Sequence, residues 1–438
     1  LNTTGAVNTA HGSMSLRMNT TGSYNTASGR YSLGDNTTGV YNTAVGSHAL
    51  KKNTSGDSNV AVGFKTLCSN LTGVKNTASG MYALRDNTAS NNAAHGYSAL
   101  LSNTTGSNNT ASGYQALRTN TTGLDLTAFG SAALCSNTTG SCNTAVGRKS
   151  LCSNTSGTCN TAVGHAALSS NTTGIRNNAF GLQALCSNTT GGYNQAFGIS
   201  ALASNTSSVY NSAFGHSSLY GNTTGASNSA FGYNSLKCNT TGNCNVAVGA
   251  CGLWNNTSGG CNAAVGFKAL FSNTTGVTSV AVGHSSLQNS TSGLGNTAIG
   301  NRSLFSNTTG SCNVAMGSAA LESATTAVCN TAIGTYSLIS DTTGQLNTAL
   351  GALAGCSVTT GGNNVAIGAR AMCATTTGER NVIIGTDALR LNTIGSCNTA
   401  VGQLTLYANT SGKQNTAIGS EAIKCNTSGI RNVAVGVQ

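Results

Sequence analysis

The sequence predicts an all-β fold, a parallel β-solenoid (β-roll) of about 26 coils, one for each copy of a seventeen-residue repeat. Three observations carry the prediction. The consensus N-T-T-G-x-x-N-T-A-Φ-G-x-x-A-L-x-x, with Φ usually apolar, returns in steps of 17 from Asn2 to Asn426; one shorter copy of 16 residues spans 87–102. A fixed short period means stacked units that contact their neighbours, and this unit is too short for a helix–turn–helix repeat, which needs roughly 30 residues or more. The glycines are as regular as the period: repeat position eleven is Gly in all 26 copies and position four in 23. Two glycines per copy would cost any helix roughly 1 kcal/mol each.

Each element of a coil follows in order. N-T-T-G at positions one to four reads as a turn, because Asn, Thr and Gly favour such backbone. N-T-A-Φ reads as a short strand. The Gly at position eleven is a corner, where backbone angles closed to other residues are needed. A second short strand is expected around x-A-L-x. Position nine is Ala in 25 copies, with Ile383 the exception, and position fifteen is Leu in 22 of the 25 copies that reach it. That strict placement separates the chain from a disordered polar tract.

Stacking parallel strands about 4.8 Å apart turns 26 coils into a rod on the order of 125 Å long. Identical residues then form columns. Asn occupies position seven in 24 copies and position one in 21. Stacked amides hydrogen-bond up and down such columns, which satisfies the turns without a metal. The whole of 1–438 reads as one elongated repeat domain, with no composition shift, no linker and no proline. No capping sequence is visible at either end, so the chain is expected to be a segment of a longer protein or to stack end to end.

In N-T-A-Φ, Ala and Φ point to opposite faces. If Ala and Leu fill the thin interior, Φ faces outward. The reverse assignment leaves a smooth Ala strip outside. Either way one apolar stripe is left over, and a long apolar stripe has to be covered. Φ begins mixed, with His11, Ser28, Val45, Val62, Ser79, His95 and Ser112. It then turns apolar at Phe129, Val146, Val163, Phe180, Phe197, Phe214 and Phe231, and stays so to Ile418 and Val435. This row is the candidate for self-association, as a homo-oligomer with trimer favoured or as an end-to-end filament.

The motif Asn245-Val-Ala-Val-Gly249, with Asn364–Gly368 and Asn432–Gly436, resembles the N-S-V-A-I-G core of the head repeats of trimeric autotransporter adhesins. The N-T-A-x-G…A-L…N-T-T-G array also resembles fibre proteins of phages and large viruses. The resemblance covers essentially the whole chain. It implies a left-handed parallel β-roll, three chains about one axis and a role in surface attachment. The chain departs from the adhesin pattern in its longer repeat and its sixteen cysteines.

Five cysteine pairs are one coil apart: Cys135/Cys152, Cys142/Cys159, Cys244/Cys261, Cys312/Cys329 and Cys356/Cys373. A rung spacing near 4.8 Å falls inside the roughly 4.4–6.8 Å Cα window of a disulfide, so these are candidate inter-coil bridges. The competing reading is that Cys is a small filler at a variable position. No C-x-x-C pair points to a metal. The six histidines and nine acids are scattered, which supports no catalytic residue, no cofactor-binding residue and no enzyme activity. The net charge of +11 is spread thinly, with no dense basic stripe interleaved with aromatics, so no nucleic-acid partner is expected. No apolar run approaches the ~20 residues of a membrane span.

The expected function is a structural fibre or filament: a rigid solenoid on a cell or virion surface, extracellular, serving as spacer or attachment appendage. The alternative is an adhesin head that grips host glycan, matrix or protein through its side surface. Ice binding through Thr columns ranks below both, because two of the three columns fall in the N-T-T-G turn.

Overall fold

In the computed structural model, which describes residues 2–437, every copy of the repeat forms one coil bearing one three-residue strand. The chain divides into two compact units, Leu1–Thr224 and Gly225–Gln438. The first carries thirteen strands, β1 (Thr9–His11) to β13 (Ser212–Phe214), and the second thirteen more, β14 (Ser229–Phe231) to β26 (Val433–Val435). Within each unit consecutive strands pair in parallel and in register: Ala10 faces Ala27 and Ala27 faces Ala44 in the first, Ala230 faces Ala247 in the second. The predicted parallel β-solenoid, one repeat to each turn, is the fold.

Alternation along the strand settles which side is inside. Ala44, Ala145 and Ala298 at position nine are fully buried, whereas the flanking Φ residues Val45, Val146 and Ile299 are exposed. The interior is a narrow column of Ala from the strand and Leu from position fifteen, with Leu33, Leu134 and Leu151 at zero exposure. Burying a Leu side chain contributes roughly 1.5–3 kcal/mol.

The expected second strand does not form; positions twelve to seventeen are turns. The reason is backbone sign. Tyr31 (φ 59°) and Leu33 (φ 47°) both lie in the left-handed region, and so do their counterparts Lys149 (φ 57°) and Leu151 (φ 49°). A pleated strand needs negative φ throughout. Left-handed backbone costs an L-residue roughly 1–2 kcal/mol and persists only where packing and hydrogen bonds over-determine it. Both are present. The Leu151 side chain is buried, its N–H donates to Ala167 O at 3.0 Å, and the Lys149 N–H donates to Ser131 O at 3.0 Å. This side of the coil is therefore laddered to its neighbours without being a strand.

The turn is held by two buried Asn columns. At position one, Asn36 Nδ2 donates to Asn19 Oδ1 at 2.9 Å and Asn53 Nδ2 to Asn36 Oδ1 at 2.8 Å; each also donates to the carbonyl at position four of its own turn. At position seven, Asn42 Oδ1 accepts the backbone N–H of Asn59, while Asn42 Nδ2 donates to Gly56 O of the next turn at 2.8 Å. The amide stacking anticipated from the sequence is thus a double clamp on N-T-T-G.

The two glycines differ in what they supply. Gly130 at position eleven has φ 130°, and a Cβ there would lie 2.7 Å from the backbone of Gly147 in the adjacent coil. Gly123 at position four shows no left-handed φ. A Cβ there would meet Asn120 Oδ1 and Gly140 O, each at 2.5 Å. Position four needs Gly for closeness to the Asn ladder, not for its angles.

Candidate interaction surface

The outward Φ residues form one line in each unit. In the first, Phe129 faces Val146, then Val163, Phe180, Phe197 and Phe214 follow in register. The rings of Phe180, Phe197 and Phe214 stack at 4.7 Å, within 7° of parallel. Phe129 and Val146 are exposed, and Val163, Phe180, Phe197 and Phe214 are half-buried by their own neighbours. In the second unit, every residue at this position from Phe231 to Val435 is apolar. Phe231, Ile299 and Ile418 remain 40%, 36% and 42% exposed. Beside them at position eight stand further β-branched residues, including Val246, Val280 and Val382. The result is an exposed sheet face two columns wide, with an apolar Φ column beside a column of mixed Val, Ala, Ser and Thr.

Coils two to seven carry a different surface. Around the Gly corner, Tyr31, His48, Phe64, Tyr82, Tyr97 and Tyr114 form an unbroken chain of ring contacts, with centroids 5.3, 6.3, 5.6, 6.3 and 5.4 Å apart. Cations lie over these rings: Arg30 and Lys51 over Tyr31 at 5.1 and 5.5 Å, Lys65 over Phe64 at 5.3 Å, and Arg85 over Tyr82 at 5.9 Å. Burial, reinforced by the positive charges of Lys51, Arg30 and Lys65, holds the His48 imidazole below its ordinary pKa. No dense basic stripe interleaved with aromatics is expected from the sequence, and here cations and rings alternate locally along the ladder. The aromatics alternate between positions twelve and thirteen, and the 16-residue copy shifts the numbering in the middle. The ladder is therefore hidden when residues are counted by column.

The five candidate cysteine pairs are each stacked one coil apart. Cys356 and Cys373 are joined as a disulfide with Cα atoms 5.0 Å apart. The other eight cysteines are free thiols: Cys135 and Cys152 half-buried, and Cys142, Cys159, Cys244, Cys261, Cys312 and Cys329 exposed. Cys135 Sγ donates to the Cys152 carbonyl at 3.3 Å, and the interaction between the two thiols draws Cys135 down and pushes Cys152 up. Cys142 is raised by burial and by the neighbouring Cys159.

The sequence also carries an N-x-[ST] sequon at position one of most copies. In most of these the amide nitrogen is buried and spent on two hydrogen bonds, as in Asn137, which donates to Asn120 Oδ1 and Gly140 O. A glycan on that nitrogen would break the ladder, so the motif serves the turn. The Thr at position two is committed likewise, with Thr37 Oγ1 donating to Thr54 O at 3.0 Å.

No helix among the described residues is long and apolar enough to cross a membrane. Comparison with protein families and with characterised proteins found no match to the chain. Its function is argued from these surfaces.

Proposed function

We propose that the chain is a structural fibre protein: a stiff, non-catalytic β-solenoid rod, displayed extracellularly on a cell or virion surface as a spacer or attachment appendage. One observation carries the reading. The same rung of backbone bonds, Asn amides and Ala–Leu core recurs coil after coil, and the repetition builds length rather than a unique site.

The exposed Φ row supports self-association. A column of Val, Ile and Phe repeating at the coil rise is matched best by the same column on another copy, because only that partner has the same period. Three chains packed about one axis, as the resemblance to adhesin head repeats implies, would cover the row on every chain. The Thr columns at position two are used up in backbone bonds, which weighs against ice binding.

Sedimentation of the purified chain, with negative-stain images, tests this. The expected result is an elongated trimer that converts to monomer when Ile299, Ile333 and Ile384 are changed to Lys together. A compact monomer, or a trimer indifferent to those changes, would overturn the reading.

A further inference from the structure

The aromatic ladder of coils two to seven is not explained by a fibre that packs through its apolar row. Its charges are unbalanced. Two acids share this side of the coil, and each has its own arginine: Asp35 with Arg17 at 3.4 Å and Asp86 with Arg85 at 2.7 Å. Among the described residues Arg30, Lys51, Lys52, Lys65 and Arg118 form no ion pair. These cations follow the coil stack rather than clustering at one point. Phe64, Tyr97 and Tyr114 are 39%, 41% and 54% exposed beside them.

The neighbouring Φ row is mixed over the same coils, with Ser28, Ser79, His95 and Ser112 alongside Val45 and Val62, and is apolar without interruption from Phe129, immediately after the ladder ends at Tyr114. A surface that is cationic and aromatic, and flanked by a partly polar row on the same coils, is suited to staying accessible. In the second unit the described ring contacts join Phe267 with His284 and Trp254 with Phe271, without a comparable run.

We propose that this strip binds an anionic polysaccharide lying along the coil stack. Its carboxylate or sulfate groups pair with Arg30, Lys51, Lys52 and Lys65. Its sugar rings rest against the aromatic edges, where the tyrosine hydroxyls and the Ser and His of the Φ row meet their hydroxyl groups. A linear polymer suits a linear array, because many weak contacts on one chain sum to useful affinity. Single-stranded nucleic acid fits less well. Bases bind by stacking on free aromatic faces, and here successive rings already contact one another, leaving no slot of base thickness. The inference rests on coils of the first unit alone and is independent of whether the chain forms trimers.

The test is retention of the full-length chain on immobilised heparin (sulfated) and polygalacturonate (carboxylated) across a salt gradient. At least one polymer is expected to retain it at low salt, with elution as salt rises. Lys51→Glu with Lys65→Glu is expected to weaken binding by about tenfold or more, since charge reversal removes electrostatic attraction and adds repulsion. Tyr97→Ala with Tyr114→Ala is expected to weaken it by several-fold with the salt dependence unchanged. Arg380→Glu with Lys413→Glu, exposed cations of the second unit, should leave retention as it was.

Should a ladder variant misfold, lysine acylation of the unaltered chain gives a second reading: the polymer is expected to shield Lys51, Lys52 and Lys65 over Lys413. Three results would each overturn the proposal: no retention on either polymer at low salt, equal losses in the ladder and control variants, or tighter binding to oligodeoxythymidylate or phosphatidylserine vesicles than to both polysaccharides.

Discussion

Position one is Asn in every copy of the first unit, from Asn2 to Asn222, but not in the second, where Ser290, Ala324, Asp341, Val358 and Thr375 replace it. Comparing the two stretches shows what the amide ladder does. Where it is continuous, an Asn typically both donates and accepts, as Asn154 does between Asn137 and Asn171. Where it is cut, the cut ends are left unpaired. Among the described residues Asn273 Oδ1, Ser290 Oγ and Asn307 Oδ1 are buried without a partner. The first unit has one such break, at Asn70 Oδ1, directly before the 16-residue copy.

The interrupted stretch compensates in other ways. Val358 and Ala324 make the rung apolar and are fully buried. The disulfide Cys356–Cys373 ties the coil that Asp341 opens to the next, which Val358 opens, and neither has an Asn at position one. Ala327 replaces the position-four Gly in the same copy in which Ala324 replaces Asn. The two changes suit one another, because a Cβ at position four crowds an Asn side chain at position one, as Gly123 and Asn120 show; Ser208 beside Asn205 meets the same crowding with a hydrogen bond from its hydroxyl to Asn205 Oδ1.

The comparison can be broken or sharpened experimentally. Repeat proteins unfold locally, so stability is best read coil by coil from amide hydrogen exchange. The largest effect is expected for Asn154→Ala. It strands Asn137 Oδ1 and one Asn171 N–H in a buried site, at roughly 1–3 kcal/mol each. Protection of the adjacent coils should drop accordingly, whereas Thr375→Ala in the cut stretch should cost less.

Cys356→Ser comes next. Opening a loop one coil long is worth about 3 kcal/mol in the unfolded-chain entropy model, and the loss should be confined to the coils around 341–375.

Asp341 gives a pH-dependent counterpart. Burial pushes its carboxyl up from the ordinary 3.8 to about 6, partly opposed by hydrogen bonds from the Gly344 N–H and the Asn347 amide. The folded state then holds a proton that the unfolded state has lost between those values. Stability is full below pH 4, falls as pH rises to about 6, and stays low above. Asp341→Asn should abolish that slope and gain up to about 3 kcal/mol locally at neutral pH; a flat profile in the unaltered chain would contradict this.

The smallest effect is the most specific. Ala324→Asn alone should not stabilise, since it meets the Cβ of Ala327, while Ala324→Asn with Ala327→Gly should gain about 1 kcal/mol by capping Asn307 Oδ1. Simple additivity of the two changes would refute the steric link.

Much of this was legible in the sequence because a repeat averages out local ambiguity. The period, the Asn columns and the placing of Ala and Φ on opposite faces follow from spacing; which of the two faces inward is settled by the burial of Ala44 and the exposure of Val45. What escaped was conformational or positional. Leu is a poor candidate for left-handed backbone, so Leu33 and Leu151 read as strand residues and proved to lie in turns. Gly123 read as an angle requirement and proved to be a contact requirement. The ladder from Tyr31 to Tyr114 crosses between two columns and over the shortened copy, so only three-dimensional stacking assembles it. Stacking also brings all five cysteine pairs together, but proximity alone does not distinguish Cys356–Cys373, the one bonded pair, from the other four.

The central claim is that each coil is laddered to the next on both its strand and its turn side. Residue-resolved hydrogen exchange tests it most directly. Thr144, the first residue of its strand, and Gly147, just after it, with Lys149 and Leu151 on the turn side, all donate to neighbouring coils at 2.7–3.0 Å. The amides of all four should be strongly protected, with the same pattern returning in every coil. Protection limited to the strand side, with Lys149 and Leu151 exchanging as in an open loop, would contradict the account.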